Sequence, residues 1–363
     1  MAAALSRREF AGGALAAGLL STSGCSGGQA AYDAALADMT RPLGDAPDVQ
    51  DLVRYATLAA SGHNTQPWKF ASRDNGIDIR PDFTRRTAVV DPDDHHLFAS
   101  LGCAAENLSL AARARGMSGD AGFDADPDGG VHLDLKPGAR EEIELFVAIP
   151  VRQCSRAGYD GKPVPPDVMK RLEAAAGTSG VDPVFLTDRK AAEDILSLVI
   201  AGNSRQMDDP AFVTELKTWI RYNASEASEK RDGLYGASSG NPTLPGWLGS
   251  IMFDLTFSKD AENKKYAEHI RSSSGIVVFV AKTNDREGWI AAGRAYQRFA
   301  LQATVDGLKH AFINQAVEVP EMRRELQALL SLGERRPNLV VRFGYGPAMP
   351  KSLRRRAGDV ILS

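Results

Sequence analysis

The chain is poor in the residues that staple or metallate a fold. It has three cysteines in 363 residues, and none has a Cys-x-x-Cys spacing, so a disulfide framework is excluded. Its six histidines show no paired ligand spacing, which leaves no zinc motif. Positive charge is not in excess either: the net charge is −3 with both signs interspersed, and nonspecific nucleic-acid binding needs a cationic face. The apolar stretch from Ala11 to Leu20 is too short for a permanent membrane span. A hydrolase is set aside because no nucleophile-elbow context or Cys/His pairing is read in the chain. What is present, 43% hydrophobic and 25% charged residues, suits a globular protein with one large core or two fused ones.

One dense set of ligand-type residues, Asp91-Pro92-Asp93-Asp94-His95-His96, reads as a helix start. Asp91 caps, Pro92 takes the first helical position, and the next acids favour the positive end of the dipole. Adjacent histidines on a helix are expected to diverge, so one metal would not hold both.

Along the chain, residues 25–45 are small and polar and read as a tether, and the folded part is expected from about Pro47. Val49, Leu52, Val53, Ala56 and Ala60 have helical spacing. Strand signals follow at 68–71, 77–80 and 87–90, a nearly all-apolar helix at 97–114, and strands at 131–135 and 143–149. A second unit opens at Val151. Pro166-Asp167-Val168 starts a helix as Pro47-Asp48-Val49 does earlier, and the elements then recur in the same order. This predicts two degenerate repeats, 46–150 and 151–363, the second carrying a helical and loop insertion at 203–260. Tyr235 and Trp247 lie in a Gly/Pro-rich stretch of that insertion, read as a mobile loop in which the two aromatics are either a lid or ordinary packing residues. The long helices 97–114 and 289–308 are expected to form the interface between the halves.

The most informative run is Ala60-Ser61-Gly62-His63-Asn64-Thr65-Gln66-Pro67-Trp68-Lys69-Phe70. It combines small residues, two amides, a proline and an aromatic in one turn, a layout suited to backbone and amide contacts with a flat ligand. Two further features carry charge: Arg152-Gln153-Cys154-Ser155-Arg156 at the entry to the second unit, and Arg354-Arg355-Arg356 near the end. Together these resemble the FMN-dependent nitroreductases, most closely their Acg-like branch: the Ser-x-x-Asn-x-Gln-Pro-Trp flavin loop, the Arg-x-Ser/Thr-x-Arg phosphate motif and a C-terminal basic pair.

The resemblance implies an α+β nitroreductase-like fold and FMN as cofactor. It assigns Ser61, Gly62, Asn64, Arg152, Cys154, Arg156, Arg354 and Arg355 to cofactor binding, with no side-chain nucleophile, since the flavin carries the chemistry. Cys154 stands where relatives carry a hydroxyl, a departure that replaces one phosphate or ribityl contact with a weaker hydrogen-bond donor. Asn314-Gln315 falls where relatives approach the ring, and His63 either lines the pocket or caps the loop. Each half lacks what the other retains, so the chain is expected to be a fused pseudo-dimer with one FMN site at the junction. The expected reaction is two-electron reduction of a flat nitroaromatic or quinone-like acceptor; the alternative is a flavin-holding protein with little turnover.

Ser6-Arg7-Arg8-Glu9-Phe10, the apolar stretch and Gly24-Cys25 resemble a twin-arginine export signal. They imply a periplasmic protein, with a lipid anchor at Cys25 and a plain cleavage site both compatible. An exported enzyme lacks NAD(P)H, so its donor would be a quinol or a partner protein.

Overall fold

The computed structural model describes residues 27–362 except 142 and 179. The export signal and Cys25 therefore lie outside the described residues. Immediately after them the tether expectation fails: residues 27–40 form a helix, α1. Tyr32 and Met39 on its inner face are buried, and Tyr32 meets the Tyr235 ring at 5.2 Å. The small residues that suggested a linker are alanines, good helix formers once an apolar stripe gives them a surface to cover.

Helix α2 (Val49–Thr57) starts on Asp48, whose carboxylate accepts from the Asp51 amide at 2.8 Å. The hairpin β1 (Trp68–Arg73) and β2 (Gly76–Pro81) follows, turning at Asp74-Asn75. Residues 87–90 form a turn, not the expected strand. Helix α3 (His95–Arg113) begins one turn later than expected, but Asp91 still caps it, its two oxygens accepting from the His96 and Leu97 amides at 3.0 Å each. Strands β3 (Asp120–Asp124) and β4 (Gly130–Asp134) complete an antiparallel sheet of order β1-β2-β4-β3. The expected strand at 143–149 is instead the short helix α4 (Glu144–Ala148); an unbroken apolar run of that length does not distinguish the two states.

The second half repeats this order. Helix α5 (Pro166–Ala176) leads to β5 (Val181–Leu186). Where the first sheet has a two-residue turn, the chain then runs through α6 (Arg189–Met207), α7 (Pro210–Thr218), β6 (Ile220–Arg221), α8 (Ala224–Lys230), β7 (Leu234–Tyr235), α9 (Gly246–Thr256) and α10 (Lys259–Arg271). This stretch is wider than the 203–260 expected, because α6 is part of it. Strand β8 (Gly275–Ala281), helix α11 (Arg286–Val305) and β9 (Lys309–Phe312) follow, then α12 (Gln315–Glu318), α13 (Pro320–Leu329) and β10 (Pro337–Gly344). The second sheet is antiparallel with order β5-β8-β10-β9, the order of the first sheet element for element.

Strand β8 is buried on both faces, which explains its unbroken apolar sequence. Val277 and Phe279 face the main core with α3 and α11, while Ile276, Val278 and Val280 face a second core with α6 and α13. Helices α3 and α11 cross in the main core between the sheets, as expected from their composition. The C-terminal segment returns to the first half, where Ile361 bridges Phe70 at the edge of β1.

Candidate functional site

The loop between α2 and β1 is held in a conformation that most side chains avoid. His63, Asn64 and Gln66 have φ of 47°, 53° and 55°, three left-handed residues within four positions. Segments from the second half hold them there. Asn64 Nδ2 donates to the Gly233 and Leu353 carbonyls at 2.9 and 3.0 Å. Gln66 Nε2 donates to the Arg231 carbonyl at 2.9 Å, and Gln66 Oε1 accepts from the Arg355 amide at 2.8 Å. The two amides of the motif thus bind protein backbone. Such clustered strain is characteristic of sites whose surroundings over-determine them.

Next to this loop is a cavity of about 80 Å³ lined by Ser61, Asn64, Arg152, Cys154, Arg156, Lys351 and Arg354, among others. Four of its lining side chains are cationic and none is a carboxylate. Arg152 Nη2 donates to the Leu58 carbonyl at 2.9 Å, and Arg354 reaches the Ala59 carbonyl through Nε at 3.2 Å and Nη2 at 3.1 Å. Both guanidiniums thus sit at the C-terminal end of α2, where cations are favoured. Arg156 has no hydrogen-bond or ion-pair partner among the described residues. Buried and unpartnered polar atoms, Arg152 Nε and Asn64 Oδ1, also belong to lining residues. Uncompensated positive charge of this kind is a site for an anion.

Burial, and then the charges of Arg152, Arg354 and Lys309, pull the Lys351 ammonium down to about 8. Burial would push the Cys154 thiol up, but the His310 hydrogen bond and charge, with Arg152 and Arg156, bring it down to about 5. Its Sγ lies 3.5 Å from the Tyr296 hydroxyl. Titration of Lys351 gives two trends of opposite sign. Binding of inorganic phosphate should weaken as pH rises through 8 and Lys351 loses its proton. Stability of the ligand-free protein should rise between pH 8 and 10.5, where the unfolded chain still holds the proton that the folded one has released. Calorimetric titration and thermal denaturation across that window measure both, and Lys351→Met should remove the Lys351 share of each; burial, and then the charge of Arg152, pull the Arg354 guanidinium down to about 9, so a smaller trend centred higher should remain.

A second cavity of about 550 Å³ adjoins the first, sharing Ser61, Arg156 and Phe312. Gly62, His63, His96, Asn314, Gln315 and Glu318 line it, as do Gly249, Met252 and Phe253 of α9. Burial, with the charges of Arg156 and His96, lowers His63 to about 4, so its ring is neutral near pH 7. Burial also lowers His96 and raises Glu318. Gln206 donates to Glu318 at 2.7 Å.

Seven of the eight residues assigned from the sequence line these cavities; Arg355 does not. Its Nη2 donates to the Asp359 carbonyl at 3.0 Å and its Nη1 to the Gln66 carbonyl at 3.4 Å, so it locks the loop from behind. Lys351, three residues before Arg354, lines the smaller cavity as its fourth cation. Of the two readings of the insertion aromatics, packing holds for Tyr235, which is buried against α1, while Trp247 is 70% exposed; neither lines either cavity, so neither is a lid. His95 and His96 do not diverge: their rings are 4.7 Å apart and, with Asp91, form a group with metal-ligand reach. Both Asp91 oxygens are taken by helix amides, and Arg323 and Arg336 add positive charge nearby. Gly236-Ala237-Ser238-Ser239-Gly240 matches the letters of a nucleophile elbow, but the Ser238 hydroxyl donates to the Tyr235 carbonyl at 2.7 Å and, among the described residues, hydrogen-bonds to no histidine.

No family model matches the chain. Two proteins of Mycobacterium tuberculosis are similar over most of their length. "Putative NAD(P)H nitroreductase Rv3131" is 25% identical over 350 residues, covering 90% of this chain and 94% of its own. "Putative NAD(P)H nitroreductase acg" is 23% identical over 331 residues, covering 86% and 94%. Among solved structures, an FMN-bound nitroreductase from Desulfitobacterium hafniense is 11% identical and covers 61% of this chain and 99% of its own. The TM-score between the two is 0.38.

Proposed function

We propose that the chain is an FMN-dependent oxidoreductase of nitroreductase type, an α+β pseudo-dimer with one flavin site between its halves. The observation that carries this is the cation-lined, carboxylate-free cavity formed by the strained loop of the first half and the arginines of the second. Arg152, Arg156, Lys351 and Arg354 suit a dianionic phosphate. Ser61, Gly62 and Asn64 offer small or amide-bearing surface beside it, and Phe312, Asn314 and Gln315 lie along the larger cavity that a flat ring and a substrate would share.

FMN, when bound, supplies reversible two-electron transfer. The residues of the chain bind, orient and exclude water. His63 is neutral near pH 7, and His96 and Glu318 offer proton-exchanging groups at the cavity wall. A flat acceptor, nitroaromatic or quinone-like, is the reading supported by the aromatic and apolar residues Phe253, Phe312 and Met252 on the wall of the larger cavity. The roomy second cavity favours turnover over simple flavin storage. The pseudo-dimer is supported by identical strand order in the two sheets and by Gly102 and Gly293, each the eighth residue of its helix, at the crossing of α3 and α11.

The relatives are named for NAD(P)H as donor. We propose that this chain is exported, which favours a quinol or partner-protein donor. Flavin quantitation on the purified full chain tests the site: one FMN per chain is expected, and two would overturn the single-site reading. Rapid oxidation of NADPH by the loaded protein would overturn either export or the alternative donor.

A further inference from the structure

Helix α9 has apolar surface on two sides. Gly249, Met252 and Phe253 face the larger cavity. Trp247, Ile251 and Leu255, spaced by four, form an outward stripe with exposures of 70, 49 and 74%. Its one charged residue, Asp254, pairs with Lys217 at 2.7 Å. Bulky apolar side chains at such exposure are unusual on a surface that meets only water.

The position of the chain entry indicates what covers the stripe. A Cβ on Gly28, at the start of α1, would strike the Ser225 hydroxyl on α8, and a Cβ on Gly246, the first residue of α9, would strike the Glu226 carboxylate on the same helix. Residues 1–26, with the apolar stretch Ala11 to Leu20 and Cys25, therefore join the fold one short helix away from the stripe. A leader or lipid at Cys25 would hold that side against a membrane.

We propose that the Trp247, Ile251 and Leu255 face of α9 seats in the surface of a lipid bilayer, so that α9 separates the lipid from the larger cavity and that cavity draws a lipid-soluble ring such as a quinone. The membrane contact stands apart from the flavin assignment, whereas the nature of the ring rests on it. No helix among the described residues is long and apolar enough to cross a membrane, so the contact would be interfacial.

The test is tryptophan quenching by phosphatidylcholine vesicles containing a doxyl-labelled lipid, with the full chain. Fluorescence from Trp247 should be quenched, the quenched component should vanish in Trp247→Phe, and Leu255→Glu should abolish it with Trp247 still present. Trp68 is fully buried and serves as an internal reference. Vesicle-bound protein with Trp247 unquenched would overturn the proposal, because the leader alone would then hold the protein. Protein that stays off the vesicles would overturn it too. So would a dimer without vesicles that Leu255→Glu dissociates, since a second copy would then cover the stripe. Quenching in protein that binds no FMN would uphold the contact and remove the flavin assignment.

Discussion

Replacing Arg156 by glutamine is expected to weaken FMN binding by about 10- to 100-fold while leaving the melting temperature unchanged. A hydrogen bond to a charged group contributes about 1.5–3 kcal/mol, and about 1.4 kcal/mol is tenfold in affinity. Arg156 should deliver that range because it has no competing partner among the described residues and borders both cavities. Its neighbours differ. Arg152 is buried and bound to the Leu58 carbonyl, so Arg152→Gln should lower both affinity and stability. Arg355 binds the back of the loop, so Arg355→Gln should act on stability first. Fluorescence titration of the apo protein with FMN, paired with thermal denaturation, separates the three. An unchanged dissociation constant in Arg156→Gln would remove the phosphate assignment.

What the sequence revealed of this site, and what it concealed, follows from the range of each interaction. Small residues, a proline stop and closely spaced arginines leave local signals, so the loop at Ser61 and the pair Arg152 and Arg156 could be read directly. Whether an arginine faces a cavity or the back of a loop depends on contacts across the fold. Arg354 and Arg355 are adjacent in sequence, yet one lines the smaller cavity and the other ties Gln66. Lys351 was missed because Leu353 and Ser352 break the basic run, although the extended tail brings Lys351 and Arg354 to the same cavity. His96 and Glu318 are more than two hundred residues apart and come within 4.0 Å only because α3 and α12 meet at the cavity wall. The alanines of α1 show the opposite failure, since composition alone does not distinguish a tether from a helix with a partner surface.

Replacing Gly293 by alanine is expected to destabilise the protein by more than about 3 kcal/mol, the largest stability effect of a single methyl group that this structure suggests. A Cβ at Gly293 would fall 1.9 Å from the Ala99 carbonyl oxygen, and one at Gly102 would fall 2.0 Å from that of Ile290. The obstacles are backbone atoms of the facing helix, which cannot rotate aside as a side chain can. Around this crossing, Cys103 Sγ donates to the Gly293 carbonyl at 3.2 Å, Gln297 donates to Asn107 at 2.8 Å, and Glu106 receives Arg294 and Arg298 at 2.9 and 2.8 Å. A methyl group that separates the helices would stretch all of these at once. As a control, Gly44→Ala meets nothing within 4 Å and should stay within about 0.5 kcal/mol. Denaturant unfolding with far-UV circular dichroism measures the difference. The first-half cavity residues Ser100 and Cys103 lie on α3 itself, while Phe312 follows α11 within one short strand, so the same crossing fixes the distance between the two walls. If Gly293→Ala folds at all, it should bind FMN more weakly although residue 293 lines neither cavity, and wild-type stability in that variant would mean that the halves do not approach as closely as described.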